Sequence, residues 1–111
     1  MQAYKIKKMS VKRINQWLSA IGKLLKHYEG KVGVYTCPLC DVPTRVGCDY
    51  CLWKIIEGNH CEDFARELYG DDADPGELRE NLRFKRWKIV RLGQLKNWKK
   101  ILKLELARRD V

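Results

Sequence analysis

Cys48-Asp49-Tyr50-Cys51-Leu52-Trp53-Lys54-Ile55-Ile56-Glu57-Gly58 is the stretch whose reading decides the fold. It holds the second of two Cys-x-x-Cys pairs. The first is Cys37-Pro38-Leu39-Cys40, and seven residues separate the pairs. Leu52-Trp53-Lys54-Ile55-Ile56 is rich in bulky and β-branched residues, so it reads as a strand leaving the second pair. Val32-Gly33-Val34-Tyr35-Thr36 reads as a strand entering the first. Two short strands beside a knuckle make a β-hairpin, which puts the chain in the α+β class. The expected domain is mainly helical and zinc-stapled, with this hairpin centre between an N-terminal helix and a long C-terminal helical segment.

The cysteine spacing carries its own chemistry. A Cys-x-x-Cys knuckle aims two sulfurs at one ion, and two knuckles supply the closed tetrahedron of a structural zinc site. The expected cofactor is therefore structural Zn²⁺, held by Cys37, Cys40, Cys48 and Cys51. Cys61 and His60 are alternative ligands. Both stand at the start of a short helix, where the dipole favours a thiolate. Four thiolates leave no open position for water, so the metal is expected to hold the fold rather than to catalyse.

Outward from this centre the chain turns helical. Ser10 is an N-cap. Val11, Ile14, Trp17, Leu18, Ile21, Leu24, Leu25 and Tyr28 recur at steps of three and four, giving a helix over 10–29. Met1 to Met9 alternates weakly and reads as a short strand or a loose tail. The Cys-rich centre covers 32–61. Asn59 with Glu62 resembles a capping box opening a helix over 60–69 that ends at Gly70. Asp74, Pro75 and Glu77 start the last segment, a long helix over 75–109 or a helical hairpin broken near Gly93. The 111 residues make one domain, 1–111, with the first and last helices packed together.

Charge points to a partner. The net charge is +9, carried by the two ends of the chain. Residues 57–80 are acidic instead, and can lie against the basic arms. The remaining surplus suits a polyanion, so nucleic acid is the leading partner. The expected contacts are Arg83, Lys85, Arg86, Lys88, Arg91, Lys96, Lys99 and Lys100 on the last helix, assisted by Lys12, Arg13 and Lys23. Such contacts bind phosphate and carry little sequence information. The alternative is a protein-interaction adaptor or inhibitor of a host protein, or a homodimer through the last helix. It is motivated by Trp17, Trp53, Trp87 and Trp98. No nucleophile–base arrangement, phosphate-cradling glycine loop or helical His-Glu-x-x-His is present, so an enzyme is not expected. No stretch is apolar enough to span a bilayer, and the metal-like cysteine usage suits a reducing cytoplasm.

The run Cys37-Pro38-Leu39-Cys40, Cys48-Asp49-Tyr50-Cys51, Glu57-Gly58 and Cys61 resembles small five-cysteine phage and prophage proteins of unknown function. These carry a Cys-x-x-Cys, a second one usually followed by Pro, a Gly-bearing turn and a fifth Cys. The resemblance covers residues 37–61, and Leu52 stands where Pro is usual. It implies a viral accessory protein of the host cytoplasm in which Cys61 matters. It brings no catalytic residue.

Overall fold

Ser10 opens the helix that organises the rest. Its Oγ accepts a 3.0 Å hydrogen bond from the Arg13 amide, satisfying one of the amides that a helix start leaves without a partner. The computed structural model describes residues 2–30, 37–42, 51–81 and 83–109. In these the elements are α1 (Ala3–Lys8), α2 (Val11–Tyr28), a 3₁₀ turn (Pro38–Asp41), α3 (Leu52–Glu57), α4 (Cys61–Tyr69), α5 (Pro75–Glu80) and α6 (Lys85–Arg109).

Every described element is helical, so the α+β class and its β-hairpin are overturned. Leu52–Glu57 is one and a half turns of helix rather than a strand. The reason lies in burial. Leu52, Trp53, Ile55 and Ile56 are all buried, and a half-exposed strand would hide only alternate residues. Gly58 ends the helix at φ 84°, a left-handed conformation that a side chain would strain. The expected strand over 32–36 lies outside the described residues. Ala3–Lys8 is also helical, not a strand or a loose tail. It packs on α3, and the Gln2 amide donates to the Ile55 carbonyl at 2.7 Å.

Two further expectations are corrected. His60, not Asn59, precedes α4, and its amide donates to Asp63 Oδ2 at 3.0 Å. Asn59 is engaged elsewhere: its Oδ1 accepts from Trp53 Nε1 at 2.9 Å. The long C-terminal segment breaks at Asn81, not at Gly93. Asn81 is extended (φ −98°, ψ 100°), and its Oδ1 accepts from the Arg83 amide at 3.0 Å. A short amide side chain that bonds the backbone two residues on offers the chain a turn in place of another helical turn. Gly93 lies inside the continuous α6, where an added Cβ would meet nothing within 4 Å. Asp74 caps α5 by accepting from the Gly76 amide at 2.9 Å.

The most extensive helix contact is α2 on α6. The buried stripe of α2 (Ile14, Trp17, Ile21, Leu24, Tyr28) meets that of α6 (Trp87, Leu95, Trp98, Leu102). An aromatic cluster fills the middle. Trp53 stacks on Trp87 at 5.9 Å and meets Trp98 edge-on at 5.6 Å, with Phe64 against both Trp53 and Trp87. Within this cluster the indole N–H groups find partners: Trp87 donates to Tyr28 Oη at 2.9 Å and Trp98 to Glu57 Oε1 at 2.8 Å, whereas the buried Trp17 Nε1 has none among the described residues. His27 Nε2 bonds the Arg79 carbonyl at 2.6 Å and ties α5 to α2. At the far end, Arg109 donates to the carbonyls of Ile6, Lys7 and Met9, closing α6 onto the C-terminus of α1.

Candidate nucleic-acid interface and cysteine centre

From Arg83 to Leu104 the chain carries nine Lys or Arg and no acid. Helical spacing sorts them. Trp87, Arg91, Leu95, Trp98, Leu102 and Glu105 step by three and four and face the core. Lys96, Lys99, Lys100 and Lys103 step in the same way on another face, and all four are exposed. With Leu104 they line one shallow concavity of about 360 Å³. Lys88 is half-buried and Lys85 exposed, about two and three turns from Lys96 toward the start of the helix.

The start of α6 is cationic where a helix is least tolerant of it. Lys85 and Arg86 occupy its first turn, and no acid does. A helix N-terminus carries roughly half a positive charge, so each cation there is unfavourable by about 0.3–1 kcal/mol. Other groups relieve part of this. The Tyr69 hydroxyl accepts from the Trp87 amide at 3.3 Å, and the Arg86 guanidinium lies 6.0 Å from the Tyr69 ring centre.

The remaining expected contacts are not brought to this face. Arg91 is 3 % exposed, which removes it from any phosphate surface. Its guanidinium lies 4.2 Å from the Trp53 ring centre and 5.0 Å from that of Trp98, and it donates to Gln94 Oε1 at 2.9 Å. Burial lowers its pKa, while nearby Tyr28 and Cys37 act to raise it. Arg13 donates to the Val42 carbonyl. Lys23 lines a separate concavity of about 190 Å³ with Gln16, Ser19, Ala20, Pro38 and Val42. Lys12 is exposed on α2, and Arg83 in the turn before α6.

Two residues, Lys103 and Glu105, escaped the sequence reading, and Arg91 was placed on the wrong face. Lys103 completes the lysine row, and its distance of four from Lys99 and seven from Lys96 was the signal. Arg91 and Glu105 sit in the buried stripe at helical steps from Leu95 and Leu102, but their charge masks that register. Glu105 is 8 % exposed, and its Oε1 is 2.7 Å from Arg108 Nη2 and 3.0 Å from Arg109 Nε. The hydrogen bond from Arg108, seconded by Arg109, holds its carboxyl down to about 2.

The acidic middle does not cover the basic arms. Glu62, Asp63, Glu67, Asp71, Asp72, Asp74, Glu77 and Glu80 are all exposed. Within it Arg66 pairs with Glu62 at 3.7 Å, and His60 Nδ1 lies 3.6 Å from Asp63 Oδ2. The lysine row of α6 is therefore not neutralised by the acidic middle.

The cysteines occupy element starts. Cys37 precedes the 3₁₀ turn, Cys51 precedes α3 and Cys61 begins α4. All three are partly buried against the core. Burial pushes the Cys51 thiol up to about 11, and the Cys37 and Cys61 thiols raise it further while Arg91 lowers it. Among the described residues no three His, Cys, Asp or Glu side chains are gathered closely enough to hold one ion. Cys40 is placed by its backbone in the 3₁₀ turn, and Cys48 lies outside the described residues.

Among the described residues no helix is long and apolar enough to cross a membrane. No family model matches the chain, and neither a curated protein nor a solved structure shows significant similarity to it.

Proposed function

We propose that this chain binds nucleic acid through the outer face of α6, by phosphate contacts and without an enzymatic step. One observation carries the reading: an acid-free stretch in which Lys96, Lys99, Lys100 and Lys103 form an exposed row on a rigid helix, with Lys85 and Lys88 continuing toward its start. Seven residues of helix rise about 10 Å, so the four ammonium groups match a backbone that carries one charge per ~1.7 Å of duplex axis. The cationic start of α6 supports the same reading. Its cost to the free helix is offset when an anion arrives.

A lysine row offers point charges with little directional content, so the expected mode is backbone binding with weak sequence preference. The protein-interaction alternative loses its motive. Trp17, Trp53, Trp87 and Trp98 are 2, 3, 2 and 0 % exposed, leaving no indole to anchor a partner. A homodimer through the lysine face of α6 would set two cationic rows against each other. The test is anisotropy of a labelled duplex titrated with the full chain between about 50 and 200 mM salt. Binding that weakens at least tenfold across that range supports the reading. Absent or salt-independent binding refutes it.

A further inference from the structure

The outer face of α6 holds more than lysines. At about 100° per residue its exposed positions, from Lys85 to Arg108, spread over roughly half of the helix circumference. The other half packs on α1, α2, α4 and α5. Gly93, Asn97 and Leu104 are exposed and step by four and seven, so they fall in one strip along the axis. Lys96, Lys100 and Lys103 run beside it. Phosphate contacts do not call for the three residues of the strip. Gly93 weakens a helix interior that an alanine would fit, since an added Cβ would meet nothing within 4 Å. Leu104 is 60 % exposed among the lysines. Asn97 presents an amide where a further lysine would add charge.

An α-helix is about 10–12 Å across, and the major groove of B-form DNA, about 12 Å wide, admits one. We infer that the ligand of α6 is B-form duplex DNA and that the strip of Gly93, Asn97 and Leu104 lies in its major groove, an inference that rests on the phosphate-binding reading above. From Gly93 to Leu104 the helix rises about 16 Å. Gly93, without a side chain, lets the helix backbone come close to the base edges. Asn97 presents the amide that pairs with N6 and N7 of adenine, and Leu104 an apolar surface for a thymine methyl. Such contacts add a base preference to the phosphate contacts of the lysines. An A-form RNA duplex has a major groove too deep and narrow for side chains to read, so it offers α6 phosphates alone. A membrane surface would need a continuous apolar face. Ile89, 69 % exposed, and Leu104 stand about 22 Å apart along the axis, with Lys96 and Lys100 between them.

Fluorescence anisotropy with the full chain compares a labelled DNA duplex with an RNA duplex of the same sequence and length at one salt concentration. The DNA duplex should bind at least about tenfold more tightly. Gly93→Gln adds an uncharged side chain at an exposed position. It should weaken DNA binding by at least about tenfold and leave RNA binding and the salt slope unchanged. Asn97→Ala should weaken DNA binding by about fivefold or more. Both positions are exposed, and melting curves check that the variants fold. Equal affinity for the two duplexes, or either folded variant binding DNA as the wild type does, overturns the groove placement. If binding still weakens with salt in that case, the phosphate reading stands; no salt-dependent binding to either duplex overturns both. Vesicles of phosphatidylserine and phosphatidylcholine that bind the chain as tightly as the DNA duplex does would overturn it too, and assign the face to a membrane surface.

Discussion

Glu105 shows how a charged side chain can belong to a core stripe. It reaches the edge of the α2–α6 packing only because Arg108 and Arg109 both donate to it. Those bonds hold its folded pKa at about 2, below the ordinary 4.5. A depressed carboxyl contributes stability above its unfolded pKa and loses it as pH falls through the folded one. The wild type should therefore lose thermal stability between about pH 4.5 and 2, and Glu105→Gln should be less stable at neutral pH but flatter across that window. Melting curves at four pH values check this; parallel pH profiles would contradict it. The same residue shows what sequence could not tell. Helical spacing places 105 on the buried stripe, but a lone Glu there gives no sign that two arginines three and four residues on will both donate to it. Arg91 was misread for the same reason. A basic residue in a basic helix looks like surface until Trp53, from another element, is known to cover it.

At the scale of elements, local signals were legible where one residue type decides the backbone. Ser10, Asp74 and Gly70 mark boundaries that the structure keeps. Ser10→Ala should cost about 1 kcal/mol in urea denaturation, because the Arg13 amide loses its acceptor. Leu52–Glu57 was illegible for a physical reason. Four bulky apolar residues in five, interrupted by Lys54, suit a buried strand and a buried helical turn equally, and only packing against α1 and the Trp cluster decides. Gly93 was the opposite case, a residue whose flexibility suggested a break that Asn81 makes instead. Since α6 runs through Gly93 into open space, Gly93→Ala should stabilise the chain by roughly 0.5–1 kcal/mol. A lower melting temperature for that variant would place the kink back at residue 93.

At the scale of the molecule, charge is segregated rather than neutralised. The sequence showed basic ends and an acidic middle, and suggested that the middle would fold onto the arms. Two of its acids serve local caps instead: Asp63 bonds the amide before α4, and Asp74 caps α5. The lysine row of α6 is thereby left to solvent. Its register was nearly complete in the sequence, lacking Lys103 and wrongly including Arg91. The central claim is that this row binds phosphate, and the slope of log affinity against log salt tests it most directly. Each phosphate neutralised contributes about −0.9 to that slope. With Lys96, Lys99, Lys100 and Lys103 all changed to Gln, a fold checked by circular dichroism should be retained and the slope for a labelled duplex should become shallower by about 3 to 4. An unchanged slope in that folded variant would contradict the assignment of nucleic-acid binding to α6.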